Sequence, residues 1–179
     1  MYTKTQQKIK VINISMTSLF ILATLSLSLL CDICEADKIS DLCILTPNPS
    51  LCSQTLRSDP RARAGGADLR VFGEIILEKS KIATQNVTTI AKSIGGEIAN
   101  TCVETSVDAI DKLTKCVDYL KKPGSTSARD LYRIGSLARD DVASCDHLLG
   151  SREPAELKAT SQKAQDLIDV LVIIANFLN

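Results

Sequence analysis

Apolar residues after position 66 recur at spacings of three, four and seven, which is the period of an α-helix with one buried face. They form four consecutive stripes, which predict helices over residues 68–94, 97–121, 127–150 and 154–178. No stretch alternates apolar and polar residues for long enough to predict a β-strand. The stripe of the first helix consists of Leu69, Phe72, Ile76, Ala83, Val87, Ile90 and Ile94.

Short turn signals separate the four stripes. Glycine and proline mark the helix ends, and Ser127 with Asp130 resembles a capping box at the third helix. Long helices joined by short turns predict an all-α, up-down-up-down four-helix bundle. The chain has no tryptophan, so the core is expected to consist of Leu, Ile, Val and Ala side chains.

The first 36 residues have the pattern of a cleaved secretory signal peptide. Three lysines precede an apolar run over residues 11–30, and Cys34-Glu35-Ala36 places small residues at positions −3 and −1 of a cut after Ala36. A membrane anchor is the alternative, because about 20 apolar residues can span a bilayer. The expected organisation is therefore a signal peptide, residues 1–36, and one domain, residues 37–179.

Charge argues against nucleic acid as a partner. Removing residues 1–36 takes away three lysines and two acids from totals of 21 and 21, which leaves 18 basic and 19 acidic residues. Such a balanced chain lacks the basic patch that nucleic-acid binding requires. No membrane contact is expected once the signal is removed.

Five cysteines remain after cleavage, and in an oxidising compartment cysteines are expected to pair. Cys102 lies about 22 residues before the turn at 122–126 and Cys145 about 21 after it. Antiparallel neighbouring helices would bring these two together, so we expect a Cys102–Cys145 disulfide. Cys116 has no cysteine opposite it and is the expected free, buried thiol.

Cys43 and Cys52 are then left to form a disulfide with each other. They flank a Pro-Asn-Pro turn within residues 38–58, which we call the N-terminal hairpin. This segment is too short and too interrupted by proline to hold itself on a bundle by packing alone. Closing a loop of about ten residues removes unfolded-state freedom worth roughly 3 kcal/mol.

Three stretches resemble the plant pectin methylesterase/invertase inhibitor family. They are KISDLCILTPNPSLCSQTL (38–56), NTCVETSVDAIDKL (100–113) and GSLARDDVASCDHLL (135–149). The resemblance covers nearly all of residues 38–178. It implies a non-catalytic protein that forms a one-to-one complex over the substrate cleft of its target enzyme. The disulfides of the family, first to second and third to fourth, fall on the pairs reached above.

One departure bears on the target. Invertase-inhibiting members often carry a Pro-Lys-Phe motif in the turn before the last helix, and this chain has GSREPAELKATSQ (150–162) there. Residues 58–80, in contrast, are similar to members described as invertase inhibitors. Together the two observations favour pectin methylesterase slightly. A cell-wall or vacuolar invertase (β-fructofuranosidase) is the alternative target.

The sequence offers no set of catalytic residues. Cys145-Asp146-His147 suggests thiol–imidazole chemistry, but side chains at i and i+2 of a helix do not meet. No two of the five cysteines have CxxC spacing and the chain has one histidine, so neither a zinc site nor a cofactor is expected. Asn86-Val87-Thr88 is an N-glycosylation sequon, which makes Asn86 a candidate modification site.

The function expected from these observations is that of a secreted inhibitor in the plant cell wall, or apoplast. Glu104, Asp108 and Asp111 share one polar helix face and are the candidate contacts with the target enzyme. A ligand-carrying or allergen-like bundle without an enzyme target is a further alternative. Such a bundle would be expected to contain a sizeable internal cavity.

Overall fold

The fold is that of a computed structural model, which describes residues 38–64, 68–150 and 153–178. Residues 38–43 are helical. The helices that follow are α1 (Pro49–Ser58), α2 (Pro60–Ala64), α3 (Leu69–Ile94), α4 (Glu97–Lys121), α5 (Ser125–Leu149) and α6 (Ala155–Phe177). The predicted signal peptide, residues 1–36, lies outside the described residues.

The four long helices form the predicted bundle. Each packs against its neighbours along the chain, and α6 returns to pack against α3, so the four close into a ring. The ring order is α3, α4, α5, α6, which places the α3/α6 side opposite the α4/α5 side. The prediction of an all-α, up-down-up-down bundle preceded by a disulfide-linked hairpin is confirmed.

Helix boundaries follow the turn signals, with one difference at α5. Asp68 caps α3 by accepting a hydrogen bond from the Arg70 N–H at 2.8 Å. At α5 the prediction of a capping box from Ser127 and Asp130 was wrong. The helix begins at Ser125 after Gly124, without a side-chain cap. Gly124 has a φ of 108°, which places the turn in a conformation that glycine adopts most easily.

The core is built from the predicted stripes, with small residues where helices approach closely. An ideal Cβ on Gly73 of α3 would lie 2.7 Å from Leu120 Cδ2, and one on Gly135 of α5 would lie 3.2 Å from Val172 Cγ2. Glycine therefore permits the spacing of these helices. Ile94, expected inside, is exposed because it lies in the last turn of α3, beyond the packed part of the bundle.

Residues of α6 are buried on more than the predicted stripe, because the N-terminal hairpin covers a second face of this helix. Asp166 is buried and accepts hydrogen bonds from Asn48 Nδ2 at 2.9 Å and Gln162 Nε2 at 2.8 Å. The other side-chain atom of Asn48, Oδ1, accepts the Leu51 N–H at 3.1 Å and so caps α1. One asparagine thus begins α1 and attaches it to α6.

An ionic network attaches α2 to the bundle. Arg61 donates to both carboxylate oxygens of Asp59, at 3.0 and 2.8 Å, and to Glu78 of α3 at 2.7 Å. The hydrogen bonds from Arg61 lower the pKa of the Asp59 carboxyl to about 2. Asp59 therefore stays ionised across the pH range in which the folded protein would be used.

The structure pairs four cysteines and leaves Cys116 as a buried free thiol. Cys43 joins Cys52 with Cα atoms 5.5 Å apart, and Cys102 joins Cys145 at 4.8 Å. Both distances lie in the range that disulfides span without backbone movement. The second bond ties the start of α4 to the end of α5, far from the turn that also joins them.

The two disulfides are expected to stabilise different parts of the molecule. The Cys102–Cys145 bond closes a loop over 43 positions, and its double alanine variant should lose about 4 kcal/mol of unfolding free energy in urea titrations. The matched variant Cys43→Ala/Cys52→Ala should accelerate amide exchange in α1 while the slowest bundle amides keep their protection. An unchanged urea midpoint in the first variant would contradict this assignment.

Candidate protein-interaction surface

An ion pair marks the line along which α4 and α5 meet at the surface. Lys112 of α4 donates to Asp141 Oδ2 of α5. The two side chains are only 27% and 26% exposed, so the pair is partly shielded from water and resists salt screening better than a free surface pair. It shows which edge of each helix faces the other.

The three predicted acidic residues lie beside this line. Glu104, Asp108 and Asp111 are all exposed on α4. Asp108 precedes Lys112 by one helical turn, so it lies on the edge of α4 nearest to α5, and the other two extend the same face outward. The helix thus presents three carboxylates at spacings of four and three.

Apolar residues also lie on this surface, and the sequence alone did not identify them. Leu137 and Leu148 of α5 are 42% and 44% exposed. They lie four residues before and seven after Asp141, which places them on the edge of α5 that faces α4. The periodicity of α5 alone shows that they lie off the core stripe. Only the Lys112–Asp141 pair shows that they border the acidic face.

We call these residues the α4/α5 surface: Glu104, Asp108, Asp111, Lys112, Leu137, Asp141 and Leu148. It combines exposed aliphatic side chains with carboxylates on two helices held together at both ends. Apolar anchors surrounded by polar groups are the pattern of protein-binding surfaces. What this arrangement can do chemically is to bind, since none of its side chains forms a nucleophile–base pair.

A second polar cluster lies at the junction of α5 and α6. Gln165 Nε2 donates to Asp146 Oδ2 at 2.7 Å and to Ser161 Oγ at 3.1 Å. In the described part of the chain, Asp146 Oδ1 and Glu153 Oε1 are buried oxygens without a donor. One proton held between these two carboxyl groups would satisfy both atoms, since a protonated carboxyl can donate.

The environment of Glu153 favours such a shared proton. Burial, together with the neighbouring Asp146, raises the pKa of the Glu153 carboxyl to about 7. The cluster therefore holds an extra proton at mildly acidic pH and loses it near neutrality. The sequence could not reveal this pair, because seven residues and a turn separate its members.

The structure places the other candidate residues away from any catalytic arrangement. Cys145 is in a disulfide and His147 is exposed. Burial raises the pKa of the Cys116 thiol to about 12, so it stays protonated.

Among the described residues, no three His, Cys, Asp or Glu side chains are grouped to hold a metal ion. Within the same ranges, no helix combines the length and apolar character needed to cross a bilayer.

Two surface grooves border the N-terminal hairpin. The larger, about 430 Å³, is lined by Leu42 and Leu45 of the hairpin, Leu69 of α3 and Phe177 of α6. The second, about 310 Å³, lies between α1, α3 and α6 and includes Asn86. Both are bordered by the hairpin, and neither lies within the ring of four helices, where a ligand-carrying bundle would need its cavity.

Comparisons with known proteins agree with the resemblance found in the sequence. The model of a family described as plant invertase/pectin methylesterase inhibitor matches residues 37–175. A curated protein from Actinidia deliciosa named pectinesterase inhibitor is 31% identical over 154 residues, which covers 80% of each chain.

Solved structures match the fold. A mutant form of a pectin methylesterase inhibitor from Arabidopsis superposes with a TM-score of 0.67, over 79% of this chain and 97% of that one, at 20% identity. A second pectin methylesterase inhibitor structure, from Arabidopsis thaliana, gives 0.56 over 80% and 97%, also at 20% identity.

The Asp146–Glu153 pair should make stability depend on pH. A carboxyl whose pKa is raised in the folded state contributes fully below its ordinary value of 4.5, and the contribution is lost as pH rises through about 7. Because Glu153 is partly exposed, we expect a loss of about 1 kcal/mol between pH 5 and pH 8 in urea titrations. Glu153→Gln keeps a donor at this position and should remove that loss.

The control for this prediction is Glu104→Gln, which removes an exposed carboxylate of α4 that is not a member of the pair and should follow the wild-type pH profile. A Glu153→Gln profile that is superimposable on the wild-type one would contradict the shared proton.

Proposed function

Since the chain belongs to the plant invertase/pectin methylesterase inhibitor family, we propose that it inhibits a plant pectin methylesterase by covering the substrate cleft in a one-to-one complex. The observation that carries this proposal is that the relative from Actinidia deliciosa, whose match covers most of both chains, is named a pectinesterase inhibitor. The family is one of inhibitors rather than enzymes.

The charge of the α4/α5 surface supports pectin methylesterase over invertase. Pectin carries free uronate carboxylates beside its uncharged methyl esters, so an enzyme that binds it is expected to present some cations along its cleft. Glu104, Asp108 and Asp111 outnumber the exposed Lys115 on the same face of α4, so this face would offer net negative charge to such a cleft. Complementary potentials speed encounter and fix orientation. Sucrose is uncharged, and an invertase cleft has no comparable need for cations.

Rigidity supports a mechanism of simple occlusion. The turn at 122–124 and the Cys102–Cys145 disulfide join α4 to α5 at both ends, with the Lys112–Asp141 pair between them. A surface that is already ordered loses little conformational entropy on binding. Leu137 and Leu148 would supply apolar contact area at two levels of α5, and the carboxylates of α4 would supply polar contacts between them.

An invertase is the second candidate target because the family includes inhibitors of both enzymes. In that case the contact would be residues 150–162, the segment that links α5 to α6 and includes the first two turns of α6. The absence of Pro-Lys-Phe from this segment counts against it.

We infer that the inhibitor acts in the cell wall after secretion. The basis is the signal-peptide pattern of residues 1–36, together with two disulfides that an oxidising compartment would maintain.

The test is a parallel titration of the disulfide-intact chain into a plant pectin methylesterase and a cell-wall invertase. We expect pectin methylesterase activity to fall linearly to a plateau at one inhibitor per enzyme, and invertase activity to persist. Loss of invertase activity alone would transfer the proposal to the second target. Full activity of both enzymes would contradict inhibition of either kind.

Leu137→Arg should weaken inhibition about tenfold to a hundredfold, because a cation replaces an apolar anchor opposite a cationic cleft. The matched control is Ile82→Arg, since Ile82 is an aliphatic residue of similar exposure, 45%, on the opposite side of the bundle. Its inhibition constant should stay within about twofold of the wild-type value. Equal weakening by both variants would exclude the α4/α5 surface as the specific contact.

A further inference from the structure

The sequon Asn86-Val87-Thr88 lies within α3, and its three residues differ in their exposure to solvent. Val87 is fully buried in the core, and the Thr88 hydroxyl is buried and donates to the Thr84 carbonyl at 3.2 Å. Asn86 alone is exposed. A sugar attached to Asn86 would therefore leave the packing of α3 undisturbed.

Asn86 also lines the groove of about 310 Å³ between α1, α3 and α6. The groove lies at the lower end of the range of about 300–1,000 Å³ that is usual for small-molecule sites, enough for one or two sugar residues. Its walls carry both kinds of group that a sugar contacts. Ile82, one helical turn before Asn86, and Leu51 of α1 are apolar, whereas Gln54 and Thr160 offer amide and hydroxyl groups.

We propose that Asn86 carries an N-linked glycan whose first N-acetylglucosamine residue packs into this groove and ties the N-terminal hairpin to the bundle. In the transfer step, the Asn86 side-chain nitrogen attacks the anomeric carbon of a lipid diphosphate-linked oligosaccharide. The new C–N bond replaces the bond to the diphosphate, which leaves, and the nitrogen loses one proton.

Covalent attachment makes this occupant more effective than any free ligand. A sugar tethered at the edge of the groove has a high effective concentration there, so weak contacts suffice for occupancy. The groove is bounded by α1 on one side and by α3 and α6 on the others. A sugar within it would add contacts between the hairpin and the bundle to the Asn48–Asp166 hydrogen bond.

The glycan would also leave the proposed inhibitory surface free. The groove lies on the α3/α6 side of the ring, opposite α4 and α5. A bulky sugar on this side would not obstruct an enzyme docked at Leu137 or Asp108. Glycosylation and inhibition are therefore expected to vary independently.

The test begins with the full chain secreted from a host that attaches oligomannose glycans. Asn86 falls in the tryptic peptide of residues 82–92, so mass spectrometry reports its occupancy directly. We expect this peptide to be glycosylated in the wild type and in Thr88→Ser, which keeps the sequon, and unmodified in Asn86→Asp. An unmodified wild-type peptide would overturn the proposal.

Trimming the folded protein then tests the packing. Endoglycosidase H leaves one N-acetylglucosamine on Asn86, whereas complete enzymatic removal converts Asn86 to aspartate. We expect the single-sugar product to keep the thermal midpoint of the intact glycoprotein, and both to exceed the fully deglycosylated product and Asn86→Asp by about 2–4 °C. Amides of α1 should exchange about fivefold faster without the sugar. A single-sugar product that melts with Asn86→Asp would overturn the packing.

Ile82→Ser separates a specific contact from a general effect of glycosylation. This exposed substitution should leave occupancy unchanged and abolish most of the difference in thermal midpoint between the single-sugar and sugar-free forms. A difference that survives in Ile82→Ser would overturn the assignment of the groove as the sugar site.

Discussion

The disulfide between Cys102 and Cys145 is the constraint on which the rest of the structure depends. Together with the turn at 122–124, it closes α4 and α5 into a loop that can neither slide nor splay. The Lys112–Asp141 pair then lies along a fixed seam, and the exposed residues beside it keep their relative positions. In the proposed function, this covalent limit on motion would reduce the conformational entropy lost when the surface binds an enzyme cleft.

The core and the N-terminal hairpin support the same stiffness by different means. Glycine at 73 and 135 allows long helices to approach closely, so the bundle is filled by aliphatic side chains without tryptophan. The hairpin is held on the bundle by apolar burial, with Leu42 and Leu56 in the core, and by the hydrogen bond from Asn48 to the buried Asp166. Its disulfide closes the short loop between the two cysteines.

Periodicity predicted the helices, their order and most of the core, because these depend on local spacing and on a simple antiparallel topology. It failed where the burial of a residue, or its role as a helix cap, depends on structure outside its own helix. Ile94 is periodic but extends past its neighbours, and the capping pattern at Ser127 is overridden by the Gly124 turn. The role of Leu137 and the proximity of Asp146 to Glu153 depend on which helix edges meet. The spacing of residues along one helix carries no information about that.

The most direct measurement is carboxyl footprinting of the inhibitor, alone and bound to the enzyme it inhibits. Glu104, Asp108 and Asp111 are exposed in the free protein, as is Glu156 at the start of α6. If the enzyme binds the α4/α5 surface, modification of the first three should fall sharply in the complex while Glu156 stays reactive. Protection of Glu156 with continued labelling of the α4 carboxylates would contradict it and place the contact at the turn before α6.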